Sequence, residues 1–186
     1  MAKSLDRILD ELLVLKCQEG DVEALGQLVE RWQAKLLRHA WYLVQNVEAS
    51  RDVVQDAWLD IVRTIGRLKE PASFRGWAFR IVGNKAADWI RTKKRRRDLK
   101  RAVADTQRCR NVSVDVHQGE DSVRLRIRQG IARLPPGCQQ VLSMKYLELM
   151  SVREIAASLD VPVGTVKSRL HYAREQLKRR LQRSDL

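Results

Sequence analysis

The 186-residue sequence is poor in residues that interrupt helices, with nine glycines and four prolines. That scarcity disfavours turn-rich folds and leaves room for long helices. Cysteine is scarce as well. Cys17, Cys109 and Cys138 stand far apart, with no C-x-x-C pair and no histidine at zinc-finger spacing, which excludes a disulfide framework and a zinc module. Cys109 and His117 share a polar stretch, but two ligands do not make a metal site, and all three thiols are expected to be reduced. No apolar run approaches the roughly 18 residues of a membrane span. Met1 to Asp10 mixes charge with leucine at helical spacing, unlike the apolar segment of a signal peptide. The chain therefore reads as cytoplasmic, without membrane insertion. It also lacks a Ser/His/Asp set, a metal-binding cluster and a phosphate-cradling glycine loop. His39, His117 and His171 lie in three separate segments, and each is expected to be solvated. No catalytic residue and no cofactor are expected.

What the chain does have is apolar content and charge of one sign. Apolar residues make up 44%, enough for real cores. The formal net charge is +13, and its placement is uneven. Residues 1–70 carry 10 Lys/Arg against 12 Asp/Glu, whereas residues 71–186 carry 26 against 11. A surplus of 15 positive charges over the last 116 residues exceeds what solubility needs and points to a polyanion, most simply nucleic acid. An anionic membrane is the weaker candidate, because no basic helix with an exposed aromatic or leucine face and no lipidation signal accompanies the charge.

Hydrophobic periodicity is helical throughout. Leu5, Ile8, Leu9 and Leu12 open a first amphipathic helix. Gly20 followed by Asp21 reads as a helix stop and a new N-cap. Leu25, Leu28, Val29, Trp32, Leu36, Ala40 and Leu43 form the stripe of a second helix, and Asn46 to Ser50 reads as a turn. Val54, Ala57, Trp58, Ile61 and Ile65 mark a third helix, Gly66 to Ser73 a loop, and a fourth helix is expected to start near Ser73 and run through Trp77, Ile81 and Trp89 into the basic run that follows. Arg91 to Arg101 holds eight basic residues in eleven, a run that cannot bury a face and is expected to end the first domain. The resulting expectation is an all-α chain of two small helical domains, residues 1–97 and 122–186, joined by a flexible linker at 98–121.

The second domain contains a more specific pattern. Ser151-Val152-Arg153-Glu154 has the S-x-x-E form of a capping box. Ile155, Ala156 and Leu159 form a short buried face, Asp160-Val161-Pro162 a tight turn, and Val166, Leu170, Ala173, Leu177 and Leu181 the stripe of a following helix. Two helices joined by a three- to four-residue turn make a helix-turn-helix, whose second helix enters the DNA major groove. Thr165, Ser168 and Tyr172 fall opposite the Leu170 stripe, flanked by Lys167, Arg169 and His171. These are the hydrogen-bonding and basic side chains suited to base edges and phosphates.

In the first domain, Phe74, Trp77, Phe79 and Trp89 are interleaved with Arg75, Arg80, Asn84, Lys85 and Arg91. Basic groups hold phosphates, and aromatic and amide groups hold unstacked bases. Trp77 and Trp89 fit a core position equally well, whereas Asn84 and Lys85 interrupt the apolar pattern. Asp52, Asp56 and Asp60 recur at intervals of four, bordered by Gln55 and Arg63. Such a stripe suits either solvent or a basic protein partner.

The stretch from Asp52-Val53-Val54-Gln55-Asp56 through Ser73-Phe74-Arg75-Gly76-Trp77 to Phe79-Arg80-Ile81-Val82-Gly83-Asn84 resembles region 2 of the sigma-70 family, and in particular its extracytoplasmic-function (ECF) group. Val161-Pro162-Val163-Gly164-Thr165-Val166-Lys167-Ser168-Arg169-Leu170 resembles region 4 of that group. The two motifs occur in the family's order with a linker between them. The resemblance implies a specificity subunit of RNA polymerase. On that basis Asp52, Gln55 and Asp56 would dock on the largest polymerase subunit. Phe74, Arg75, Trp77, Arg80, Asn84, Lys85 and Arg91 would serve the −10 element, with the loop from Glu70 to Arg75 beside them. Thr165, Lys167, Ser168, Arg169, His171 and Tyr172 would serve the −35 element. The second domain would rest on the second-largest subunit, and an anti-sigma factor would be a further partner. Two alternatives compete on the residues alone. A dimeric helix-turn-helix regulator explains only the second domain. A nuclease would need Asp52, Asp56 and Asp60 to converge on a metal, which one helix face rarely allows.

Overall fold

The computed structural model describes residues 2–103 and 122–182. Eight α-helices account for most of them: α1 (Ala2–Gln18), α2 (Val22–Val44), α3 (Val47–Thr64), α4 (Phe74–Val103), α5 (Ser122–Ala132), α6 (Pro136–Tyr146), α7 (Val152–Leu159) and α8 (Val163–Gln182). Short 3-10 turns at Ile65–Arg67 and Pro71–Ser73 join α3 to α4. The described residues contain no strand.

Local chemistry sets most of the boundaries. Gly20 takes φ 91°, a left-handed turn that favours glycine. The Asp21 side chain then accepts the Ala24 N–H at 3.0 Å and starts α2. The turn read at Asn46 to Ser50 is shorter than expected. Gln45 ends α2 in the left-handed region, and the Asn46 side chain already accepts the Ala49 N–H at 2.8 Å. Residues 47–50 are therefore the first turn of α3. As expected, α4 runs into the basic stretch, and it continues to Val103, past residue 97 where the first domain was expected to end. Residues 85–103 contain no glycine or proline, and lysine, arginine, leucine and alanine are good helix formers. A run that buries nothing can still be helical when nothing in it opposes the helix. Cys109 and His117 lie outside the described residues.

The first half of the chain packs α2, α3 and α4 around a set of large rings. Trp32 on α2 meets Phe74 edge-on at 5.4 Å and Phe79 at 5.8 Å between ring centres. Leu28, Leu36, Val54, Ile61 and Val82 fill the space around them, all fully buried. Each buried side chain of this size is worth about 1.5–3 kcal/mol. The Trp58 indole N–H donates to Gln33 Oε1 at 2.6 Å and ties α3 to α2. Arg31 on α2 pairs with Asp10 at 2.8 Å and Asp6 at 3.1 Å on α1. The second half gathers Leu134, Val141, Leu142, Ile155, Val166 and Leu170. There the buried Gln139 side chain donates to the Leu134 carbonyl at 2.8 Å and caps the end of α5. Cys138 is buried and Cys17 half-buried, both unbonded, and burial pushes both thiols up.

The two halves do not stand apart. Their buried residues form one continuous cluster, with α6 against α2 and both α6 and α7 against α4. Gly76 and Gly83 lie at this seam. A Cβ on Gly76 would stand 2.7 Å from Ser158 Cβ, and one on Gly83 would stand 3.1 Å from Gln140 Cγ. Arg38 on α2 pairs with Glu148 at 2.9 Å, and the Arg75 guanidinium donates to the Glu148 carbonyl.

His39 corrects the expectation of a solvated imidazole. It is fully buried, its ring 4.9 Å from that of Phe79 on α4 and its Nδ1 2.7 Å from Ser143 Oγ on α6. Burial, reinforced by the neighbouring Arg38 charge, lowers its pKa from 6.5 to about 3. The unfolded chain therefore binds a proton below pH 6.5 that the folded chain refuses. This contribution to stability is complete above pH 6.5 and is lost as pH falls toward 3, at about 1.4 kcal/mol per unit. Denaturation midpoints measured from pH 7 to 5 are expected to fall more steeply for the wild type than for His39→Gln. Parallel profiles would contradict the assignment.

Candidate nucleic-acid and partner interfaces

Helix α4 presents three different sides. At 100° per residue, Phe74, Ala78, Val82 and Ala86 share one side, and all are buried. Gly76 and Gly83 mark a second side, covered by α6 and α7. The third side brings Trp77, Arg80, Asn84 and Arg91 onto one line, with the Trp77 ring partly against the core, 6.0 Å from that of Phe74. Asn84 and Arg91 are exposed, and Trp77 and Arg80 half-buried. From Trp77 to Arg91 this line spans about 21 Å at 1.5 Å per residue. It combines a ring, an amide and two cations, the set that holds a nucleic-acid strand.

The remaining α4 residues expected in that group lie elsewhere. Phe74 is only 1% exposed and edge-on to Trp32, so its ring belongs to the core and offers no stacking face. Arg75 reaches across the seam to Glu148. Lys85 turns toward α3 and pairs with Asp60 at 2.6 Å. Arg91 pairs with Asp88 one turn earlier on its own helix, an exposed contact of little energy. Trp89 is half-buried, with the Lys93 ammonium 4.5 Å from its ring centre.

The turns leading into α4 are held by a residue that sequence periodicity does not single out. The Gln18 side-chain amide donates to the Ile65 carbonyl at 2.9 Å and to the Leu68 carbonyl at 2.7 Å. The Ser73 hydroxyl donates to the Glu70 carbonyl at 2.7 Å. Together they fix the segment from Ile65 to Ser73 beside the start of the α4 line. A glutamine at a helix end carries no pattern that would have announced this role.

On α3, the exposed residues Asp52, Gln55 and Asp56 face solvent opposite the buried Val53, Val54 and Ala57. Asp60 leaves the stripe by pairing with Lys85. The outer carboxylates therefore form a compact acidic patch, with Arg51 and its partner Glu48 at its edge.

The helix-turn-helix forms as its sequence predicts. The Ser151 hydroxyl accepts the Glu154 N–H at 3.1 Å, and Glu154 accepts the Ser151 N–H at 2.7 Å. The bond from the Ser151 N–H, then that from its hydroxyl, holds the Glu154 carboxyl below its ordinary value. Asp160 ends α7 at φ 54°, and α8 follows after Pro162. Val166, Leu170 and Ala173 are buried, while Lys167, Ser168, His171 and Tyr172 are exposed. Thr165 and Arg169 are half-buried at the flanks, Arg169 beside Gly137 at the start of α6. Arg174 donates to the Tyr146 hydroxyl at 3.0 Å, a tie between α8 and α6 that periodicity did not reveal. Among the described residues, no three His, Cys, Asp or Glu side chains lie together as a metal ion would need. No described helix is long and apolar enough to cross a membrane.

Comparison with known proteins places both sets of helices. The sigma-70 region 2 family matches residues 28–96, and the sigma-70 region 4 family matches residues 124–177. The chain is 31% identical over 176 residues to the ECF RNA polymerase sigma factor SigW of Bacillus subtilis, covering 90% of this chain and 94% of that protein. It is 28% identical over 185 residues to the ECF RNA polymerase sigma-E factor of Escherichia coli K12, covering 95% and 96% respectively. The structure of CnrH in complex with the cytosolic domain of CnrY is similar at a TM-score of 0.67 and 25% identity, over 94% of this chain and 97% of that one. The sigma factor RpoE of Bartonella quintana, solved with the anti-sigma factor NepR, shares the fold at a TM-score of 0.65 and 19% identity, over 87% and 98%. With both regions matched in order along nearly its whole length, the chain belongs to the ECF group of the sigma-70 family of RNA polymerase sigma factors.

Proposed function

We propose that this sigma factor binds core RNA polymerase and directs it to promoters by reading two DNA elements with two separate helical surfaces. The observation that carries the reading is the sidedness of α4 and α8. Each presents a polar and basic line directly opposite a buried one. The α4 line of Trp77, Arg80, Asn84 and Arg91 takes the −10 element, with the ring and amide available to an unstacked base. On α8, Lys167, Ser168, His171 and Tyr172 read the −35 element in the major groove, and Thr165 and Arg169 steady the helix against the backbone. The basic extension of α4 beyond Arg91 supplies attraction to DNA that is independent of sequence.

The acidic patch of Asp52, Gln55 and Asp56 docks on a basic surface of the largest polymerase subunit, and the second half of the chain rests on the second-largest. The working organisation is residues 1–97 as the docking and −10 unit, 98–121 as connection, and 122–186 as the −35 unit. The chain acts in the cytoplasm, where polymerase and promoters are, and contributes no catalytic step of its own. An anti-sigma factor is a further partner. The structural similarity to CnrH, captured with the cytosolic domain of a second protein, supports a regulatory partner of this kind.

Three substitutions test the assignment separately. Asp56→Arg reverses charge on the exposed docking patch and should weaken binding to core polymerase while leaving the thermal unfolding of the free chain unchanged. Core affinity equal to wild type would remove α3 from the docking surface. Asn84→Ala is expected to impair promoter opening more than binding to duplex promoter, and equal losses in both assays would argue against a base held on α4. Lys167→Ala should cost about 1–3 kcal/mol at the −35 element if the contact is to a base edge. A loss identical on every DNA sequence would make it a phosphate contact instead.

A further inference from the structure

Helix α1 turns its apolar stripe away from the rest of the chain. Leu5, Ile8, Leu12 and Leu15 are spaced by three, four and three residues. They fall within about 80° of one another around the helix axis. All four are exposed, between 46% and 67%, and Leu9 beside them is 41% exposed. The opposite side of α1 is held against α2. Leu13 and Val14 are buried there, and Asp6 and Asp10 reach Arg31 at 3.1 and 2.8 Å. A surface helix ordinarily buries its leucines and shows its carboxylates to water. Here the two aspartates turn back to α2, and five apolar side chains face out.

None of the residues assigned above to polymerase or DNA lies on α1. The face presents roughly 450 Å² of apolar surface, the size at which a patch on a monomer is often functional. Its spacing is that of a coiled-coil seam, and its flanks point to the occupant. Glu11 lies on one flank, and Lys16, five residues later, on the other. Two copies of α1 laid side by side in parallel, about a two-fold axis, set the Glu11 flank of each against the Lys16 flank of the other. This is the opposite-charge pairing that borders parallel seams. An antiparallel pair aligned on the same four residues would set the two Glu11 carboxylates facing each other. A free peptide of this length would be too short to pair stably. Packing on α2 already holds α1 in place, so the cost of ordering the helix does not fall on association.

We propose that α1 is a dimerisation helix: the free chain pairs with a second copy of itself through a parallel α1–α1 seam of Leu5, Ile8, Leu12 and Leu15, with Glu11 of each copy against Lys16 of the other. The seam covers on the order of 900 Å², at the small end of specific interfaces. The pair therefore forms in the micromolar range, and its population follows the concentration of the chain. Pairing uses neither polymerase nor DNA and stands apart from the promoter reading.

Sedimentation equilibrium of the full chain tests this, in reducing buffer and from roughly 1 to 100 µM. The mass should rise from monomer to dimer across that range. Leu12→Glu places a charge in the middle of the seam and should remain monomeric throughout. Because Leu12 is exposed, its thermal unfolding midpoint at the dilute end should equal that of the wild type. Glu11→Lys or Lys16→Glu alone should weaken association about tenfold, since each sets like charges together on both flanks. The two substitutions in one chain should restore it, because the swap keeps every pair opposite in sign. These charge variants alter no apolar side chain, so they decide the question whatever Leu12→Glu does to folding. A wild type that stays monomeric across the range would overturn the proposal and leave the face to a different protein. A dimer that Leu12→Glu leaves intact, or a double swap that associates no more tightly than either single variant, would overturn it as well.

Discussion

The packing of Phe74 and Phe79 against Trp32 and His39 is the contact on which the rest depends. It pins the start of α4 onto α2 in a single rotation. Once those two rings are buried, helical geometry leaves no choice about the rest of the helix. Arg80, Asn84 and Arg91 must face outward, with Trp77 at the rim of the core, and Gly76 and Gly83 must face the second half of the chain. A rotation of one residue would turn Arg80 toward the core and leave it without a partner, at a cost well above what a surface contact returns. The outward polar and basic line of α4 is therefore a consequence of core packing.

Charge is distributed to match. The acidic patch lies on α3, whose inner face supports the same core, and Lys85 joins the two helices by pairing with Asp60. The ion pair is partly exposed, so it adds little to stability. It does remove both residues from the surfaces on either side, leaving Asp52 and Asp56 as exposed carboxylates on α3 and a polar, basic line on α4. Opposite-signed surfaces on adjacent helices suit a subunit that must hold a protein and a nucleic acid together.

Much of this was legible in the residues, and the exceptions share a cause. Apolar spacing located the helices, and the Ser151 capping box and the Gly20–Asp21 stop and restart appear as their chemistry dictates. The exposed Lys167, Ser168, His171 and Tyr172 follow from the Leu170 stripe alone. What the sequence hid were contacts made at a distance. His39 follows a charged neighbour, Arg38, and reads as a surface residue until Ser143, 104 residues later, closes over it. Phe74 fits an aromatic and arginine pattern suited to nucleic acid, but Trp32 claims its ring. Gly76 and Gly83 look like weak points in a helix, since a glycine shows its purpose only when something packs on it. Gln18 is a similar case, because the carbonyls it holds belong to Ile65 and Leu68. The length of α4 was harder to read, because a basic stretch with good helix propensity and no breaker gives no local signal for where the helix stops.

The central claim is that one rotation of α4 buries Phe74, Phe79 and Val82 and leaves Asn84 and Arg91 outward. Single cysteines at Val82 and Asn84, in a chain whose own three cysteines are replaced, measure that rotation by their rates of reaction with a soluble thiol reagent. Fast reaction at position 84 and slow reaction at position 82 are the expected results. Equal rates at the two positions would contradict the claim.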